Sequence, residues 1–237
     1  MVEYRHVTVP VRDGKFQVQV VEGGTGDSLI FLHGEDGLTE WTPFLDRLAQ
    51  HFHVYAPAHP GQGGTQGLQH LDDLWDLVLF YEELMQALGL ERAHAIGHSY
   101  GGMLAAELAA HRPDKVSRLV LINSLGLWLN DAPIADFFIL TAEELAKTLW
   151  FDSECDAAKA AFAQPSDPEE KMESDLARTE TLAAVAAVNS PTRCGNQGSS
   201  YSCQMFFSPG ITSLANRFIF LKVNSLGMVP MCSRHIR

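Results

Sequence analysis

Residues 97–101 read Gly-His-Ser-Tyr-Gly, between the apolar run AHAI at 93–96 and the small-residue stretch GMLAAELAA at 102–110. The apolar run predicts a buried strand, and the stretch after it predicts a helix. Glycines around a serine allow a tight, strained turn from strand to helix. Such a turn raises the hydroxyl above the sheet, beside a helix N-terminus that favours negative charge. We therefore predict that Ser99 is a nucleophile; the alternative is that the motif marks an ordinary turn.

The segments on both sides of this turn alternate between strand and helix patterns. Two alternating stretches, YRHVTVPV at 4–11 and KFQVQVVEGG at 15–24, predict an antiparallel hairpin. After the hairpin, strand patterns (SLIFLHG, HVYAPAH, AHAIGHS, VSRLVLINS) alternate with helix patterns (WTPFLDRLAQHF, DDLWDLVLFYEELMQALGL, YGGMLAAELAAHRP). This alternation predicts an α/β fold, with a mostly parallel, twisted sheet and helices on both of its faces.

Beyond these strands the chain changes character twice. Residues 128–190 show helical patterns only, which predicts a helical cap over the ends of the sheet. Residues 193–237 hold five Lys or Arg, three of the four cysteines and no Asp or Glu, so the composition changes sharply there. We predict a core at 1–127, a cap at 128–190 and an atypical tail at 191–237 that could hold part of a core strand.

Charge and composition limit the partners. A formal net charge of −12 argues against nucleic acid or an anionic membrane surface, so we expect a small, largely neutral substrate. The start MVEYRHVTVPVRDG does not resemble a signal peptide, and no apolar run is as long as a membrane span, so we expect a cytoplasmic protein. The cysteines lack metal-binding spacing, which favours free thiols over a metal site. No cofactor is predicted, and the sequence leaves the oligomeric state open.

A second motif, HGEDG at 33–37, follows the predicted strand SLIFL. A glycine-flanked loop at the end of a central strand can aim backbone N–H groups into an active-site crevice. We expect the N–H groups of Glu35 and Tyr100 to form an oxyanion hole, against the alternative of an ordinary loop. Another serine motif, GDSL at 26–29, places Ser28 before its strand instead of after it, which disfavours Ser28 as the nucleophile.

HGEDG, HPGQGGT at 59–65, and GHSYG, with the spacing among them, resemble the α/β-hydrolase superfamily in its capped, single-domain form, over roughly residues 3–190. The resemblance implies Ser99 as nucleophile, Glu35 and Tyr100 as oxyanion donors, and a cap that shapes the pocket. The other motif positions are His33, Gly34, Gly97, His98 and Gly101, of which His98 is interpreted as a packing residue.

The identity of the nucleophile narrows the chemistry. Members that resemble epoxide hydrolases and haloalkane dehalogenases use a carboxylate where this chain has Ser99. A serine is more consistent with acyl transfer, which would hydrolyse an ester, thioester, lactone or amide. Cleavage of a carbon–carbon bond next to a carbonyl is a further alternative.

A base and an acid for Ser99 are harder to assign. In this fold they follow the serine in the order acid, then histidine. The histidines after Ser99 are His111 and His235. His111 lies twelve residues further along the predicted helix, ~18 Å from the serine. His235, two residues before the last position, is therefore the candidate base, and the acid is unassigned.

The acidic residue is missing where the resemblance would place it. RFIFLKVNSLGMVP at 217–230 resembles a late strand of the family followed by Asp-x-Leu-Val-Pro, with Leu226 in place of the acid. The last acidic residue of the chain is Glu180, and Asn123, at the end of a predicted strand, cannot stabilise an imidazolium as a carboxylate does. The alternative function is thus a catalytically impaired or truncated hydrolase-like protein that binds a small apolar ligand. Aromatic residues expected to roof the pocket, or merely to pack the cap, are Trp128, Phe137, Phe138, Trp150 and Phe151.

Overall fold

The structure, a computed structural model, describes residues 1–34, 37–38, 40–125, 140–150, 152–161, 167–168, 172 and 218–221. Its strands are β1 (Tyr4–Val11), β2 (Phe16–Gly23), β3 (Asp27–Leu32), β4 (Phe52–Pro57), β5 (Ala93–His98), β6 (Val116–Ile122) and β7 (Phe218–Leu221). Within these ranges they form one sheet in the order β1-β2-β4-β3-β5-β6-β7. The β1–β2 hairpin and the β2–β4 pair are antiparallel, and the other pairs are parallel. The prediction of a mostly parallel α/β sheet is confirmed.

The described residues include five helices, and local interactions explain where one of them begins and where another ends. They are α1 (Pro43–Ala49), α2 (Leu74–Ala87), α3 (Tyr100–His111), α4 (Ala142–Leu149) and α5 (Asp156–Ala161), with a short 3₁₀ turn at Leu68–His70. The side chain of Asp73 accepts a hydrogen bond from the Asp76 N–H at 3.0 Å and so caps α2. Helix α3 ends two residues before Pro113, which cannot donate a backbone hydrogen bond.

Side chains from both faces of the sheet are buried. On one face, Phe16, Val18 and Val20 pack with residues of α2 and α3. On the other face, Leu29, Val54 and Ile96 pack against α1. Strand β3 contributes to both clusters, as expected for a continuous apolar run in the middle of a sheet. The core therefore holds β3 and β5 rigidly from both sides.

This topology brings the three glycine-containing motifs to one edge. Strands β3, β4 and β5 are parallel neighbours, so their carboxyl ends lie at the same edge of the sheet. HGEDG, HPGQGGT and GHSYG occupy those three ends. Ser28 lies at the beginning of β3, paired with His53, at the opposite edge. The structure therefore separates Ser28 from the motif cluster.

The described parts of the later chain are short. Strand β7 pairs with β6 in parallel, with Leu119 opposite Phe218 and Ile122 opposite Leu221. Leu226 and His235 lie outside the described residues. Among the described residues of 128–190 are the helices α4 and α5; the assignment of this region as a cap stays a prediction, as do the other domain boundaries. Among the described helices, none is long and apolar enough to span a membrane.

Candidate active site

Ser99 occupies a strained turn between β5 and α3. Its φ is +50° and its ψ is −115°, a conformation that costs of order 1–3 kcal/mol in a non-glycine residue. Its N–H donates to the carbonyl of Ile122 at 2.9 Å, and its own carbonyl accepts from Gly102 at 3.0 Å and Leu125 at 3.1 Å. The residue is 7% exposed. Bonds to β6, to α3 and to the segment after β6 therefore hold the strained turn in place.

The glycines of the motif allow the strand and the helix to approach closely. A Cβ added at Gly97 would lie 2.6 Å from the Cα of Gly102. A Cβ added at Gly101 would overlap the backbone carbonyls of Leu32 and His33 in β3 and its loop. Only glycine fits at these two positions, because the neighbouring atoms belong to the main chain and cannot rotate away.

The loop after β3 lies against the nucleophile. A Cβ on Gly34 would be 3.4 Å from the Cβ of Ser99 and 2.8 Å from Nδ1 of His98. The turn continues with a hydrogen bond from the Gly37 N–H to the Gly34 carbonyl at 3.3 Å. His98 is half-buried, and its ring faces this loop. The bare backbone at Gly34 thus leaves room beside Ser99.

Tyr100 is the first residue of α3. As such, it has a backbone N–H with no partner inside the helix, at the positive end of the helix dipole. Its side chain is buried, which raises the pKa of the phenol well above its usual range. Glu35, the other expected oxyanion donor, lies outside the described residues. The oxyanion pair therefore stays a prediction.

Sequence reasoning missed a buried histidine pair beneath this site. His33 and His59 are each 2% exposed, and their ring centroids are 3.8 Å apart. The ring of Tyr100 meets His59 edge-on with centroids 5.4 Å apart, and Tyr81 bonds to Nδ1 of His59. Burial, and then the neighbouring His33, hold the pKa of His59 well below its usual range. The signal in the sequence was the histidine that opens HPGQGGT, two residues after the end of β4.

The buried His59 should make the protein sensitive to mild acid. Its pKa is lower in the folded state, so the unfolded chain binds the proton first as pH falls below ~6.5. The stability is complete above that pH and falls below it, by up to ~1.4 kcal/mol per pH unit. We expect urea unfolding between pH 7.5 and 5 to have a shallower pH dependence in His59→Gln than in the wild type. Equal slopes in the two proteins would contradict this.

The other predicted residues are placed as follows. His111 lies at the far end of α3 from Ser99, where its Nδ1 donates to the Glu107 carbonyl at 2.9 Å and its ring contacts Trp75. Asn123 follows β6, is exposed, and has a φ of +46°. Trp150 follows α4 and is half-buried. The remaining roof aromatics, Trp128, Phe137, Phe138 and Phe151, lie outside the described residues. No cluster of potential metal ligands occurs within the described part of the chain.

A strained serine between a parallel strand and a helix, beside the loop of the neighbouring central strand, is typical of the class of α/β-hydrolase folds. The chain belongs to the alpha/beta hydrolase fold family, whose model matches residues 27–168.

Curated relatives match part of the chain. A (E)-2-((N-methylformamido)methylene)succinate hydrolase from Acinetobacter baylyi is 30% identical over 105 residues, which cover 44% of this chain and 40% of that protein. A 2-hydroxy-6-oxo-2,4-heptadienoate hydrolase from Pseudomonas putida is 31% identical over 121 residues, 48% of this chain and 43% of that protein. The chain thus spans less than half the length of these relatives.

A solved structure extends the similarity of fold. The 2-hydroxy-6-oxo-6-phenylhexa-2,4-dienoate hydrolase from Rhodococcus superposes with a TM-score of 0.54 at 20% identity, over 94% of this chain and 92% of that one. At this identity, the likeness concerns the fold alone.

Proposed function

We propose that this chain is a serine hydrolase that acts on a small ester-like or carbonyl substrate through an acyl-enzyme on Ser99. The observation that carries the proposal is the backbone of Ser99, held at φ +50° between β5 and α3 with the loop of Gly34 against it. In an active enzyme this turn presents the hydroxyl to a substrate bound at the carboxyl edge of the sheet. The nearby helix N-terminus favours the negative charge that develops there.

The proposed reaction has two steps. The Oγ of Ser99 forms a bond to the carbonyl carbon, its proton passes to the leaving group, and the bond to the leaving group breaks. Water then cleaves the acyl-serine ester and restores the hydroxyl. During both steps the N–H groups of Tyr100 and Glu35 would stabilise the oxyanion. Carbon–carbon cleavage next to a carbonyl stays an alternative, since the matched Pseudomonas protein is by its name a hydrolase of a 6-oxo-dienoate.

The surroundings of the site form part of the same proposal. A helical cap at 128–190, which includes α4 and α5, would roof the pocket with aromatic side chains. A neutral small molecule remains the proposed ligand, and the cytoplasm the proposed location, on the net charge of −12 and the sequence patterns described above. Neither nucleic acid nor a membrane is a proposed partner.

A fluorophosphonate probe tests the nucleophile directly. We expect the probe to modify Ser99 in the wild type, and the label to disappear in Ser99→Ala because the attacking oxygen is removed. Ser28→Ala is the matched control, since Ser28 lies at the opposite edge of the sheet and its loss should leave labelling unchanged. Peptide mapping that finds the label at Ser28, or at no serine, would refute the proposal.

One observation favours a second candidate, a hydrolase-like protein that binds a small apolar ligand without efficient turnover. Within the described residues, the ring nitrogens of His33 and His59 bond to other groups, and His111 lies at the far end of α3. None of these three imidazoles is thus placed to take the proton of Ser99. Labelling of Ser99 with no catalytic turnover would favour this second candidate.

A further inference from the structure

A continuous chain of hydrogen bonds connects helix α2 to the loop beside Ser99. Tyr81, on α2, bonds through its hydroxyl to Nδ1 of His59. Nε2 of His59 lies 2.8 Å from the carbonyl oxygen of His33, and the backbone N–H of His59 donates to Nε2 of His33 at 3.1 Å. Nδ1 of His33 lies 2.6 Å from the Gly34 carbonyl, which also accepts from the Gly37 N–H.

The partners in this chain fix the position of every proton. A backbone N–H can only donate, so Nε2 of His33 must accept and the His33 proton must be on Nδ1, where it is donated to Gly34. A carbonyl can only accept, so the His59 proton must be on Nε2. Nδ1 of His59 is then an acceptor, which the hydroxyl of Tyr81 satisfies.

Titration supports this assignment. Burial keeps the pKa of His59 well below its usual range and the pKa of Tyr81 well above its usual range. Both groups are therefore neutral near pH 7, and Tyr81 keeps the proton that it donates.

We infer that His59 is a positioning residue, whose tautomer is set by the His33 carbonyl and matched by the Tyr81 hydroxyl, and which holds His33 and the Gly34–Gly37 turn against Ser99. His59 makes two hydrogen bonds to His33, the residue immediately before the turn. Its Nε2 donates to the His33 carbonyl, and its backbone N–H donates to Nε2 of the His33 ring. Both residues are buried, so no water competes for these bonds. The effect on catalysis rests on the proposed role of Ser99, whereas the tautomers and the order of the turn do not.

The first measurement uses the full chain with ¹⁵N-labelled histidine. Long-range proton–nitrogen correlation spectra at pH 7 should show His33 protonated on Nδ1 and His59 protonated on Nε2. The opposite tautomer of either ring, or a charged ring, would overturn the inference.

The second measurement compares variants of His59. In His59→Leu both bonds from the imidazole are lost, so we expect backbone order parameters at Gly34 and Gly37 to fall from about 0.85 to below about 0.6. Phosphonylation of Ser99 should slow by at least ~10-fold, because small misplacements of catalytic groups are costly. His59→Gln keeps a donor for the His33 carbonyl and should retain most of the order.

The control is His53→Leu, which removes an imidazole whose Nδ1 also bonds a tyrosine hydroxyl, that of Tyr55, at 3.1 Å. If the order parameters of His53→Leu and His59→Leu are equal, the positioning role is wrong. If His59→Leu does not fold, the comparison of His59→Gln with the wild type decides. Order parameters below about 0.6 at Gly34 and Gly37 in His59→Gln would show that a donor to the His33 carbonyl does not order the turn, and the positioning role would then be wrong. A wild type that is never labelled at Ser99 would instead refute the proposed function, while the tautomers and the order parameters still test the clamp.

Discussion

Replacing Gly101 with alanine should lower the free energy of unfolding by about 3 kcal/mol or more. The added Cβ would overlap the carbonyls of Leu32 and His33, which belong to the central strand and its loop. Strand β3 is fixed by parallel pairing with β4 and β5, so the helix must shift instead. Because Ser99 is the residue before α3, such a shift would also move the nucleophile, and labelling by a fluorophosphonate should be lost.

Thermal unfolding checks this prediction. For a chain of this length, 3 kcal/mol corresponds to a fall in Tm of roughly 6–12 °C. The matched control is Gly89→Ala, because Gly89 has a φ of +72° but nothing within 4 Å of the added Cβ. It should cost only the conformational strain, about 1–2 kcal/mol, and leave Ser99 reactive. A Tm of Gly101→Ala within about 2 °C of the wild type would show that the close approach is not needed.

The fold was readable from the sequence because its signals are local. The alternation of apolar residues in β1 and β2, and the continuous apolar run in β3, depend on which faces of each strand are buried. The end of α3 follows from the proline at 113, whose effect is confined to the preceding turn. Such patterns carry the information within a few residues, so no knowledge of tertiary contacts is needed.

The site was only partly readable, for the opposite reason. Five consecutive residues, 97–101, determine the turn at Ser99, and the structure gives this turn the strained backbone expected of that motif. The His59 clamp joins residues that are 26 and 22 positions apart in the sequence, and no periodicity relates them. His98, interpreted as packing, faces the Gly34 loop because the turn carries its ring to the edge of the sheet. Contacts of this kind become visible only once the sheet order is known.

The largest expected loss of activity comes from the lack of a catalytic base for Ser99. We predict that the chain lacks a complete Ser-acid-His triad and hydrolyses an activated ester only ~10³-fold faster than water. Without a base, the hydroxyl of Ser99 stays protonated at neutral pH, and binding and the oxyanion donors supply what catalysis remains. In the described part of the chain, His111 lies at the far end of α3, and His33 and His59 are bonded elsewhere.

The decisive experiment compares the wild type with His235→Ala, His98→Ala and Ser99→Ala on p-nitrophenyl acetate. If no imidazole acts as base, His235→Ala and His98→Ala should stay within about twofold of a slow wild type, because general-base catalysis would contribute at least 10²-fold, roughly, if it were present. Ser99→Ala should lose the part of this slow rate that passes through the acyl-enzyme on Ser99. A rapid wild type, with a large and equal loss in Ser99→Ala and in one histidine variant, would identify that histidine as the base and refute the prediction. The two histidine variants are needed together, since His98 faces the Gly34 loop beside Ser99, whereas His235 is the position to which the order of the triad residues in the sequence points.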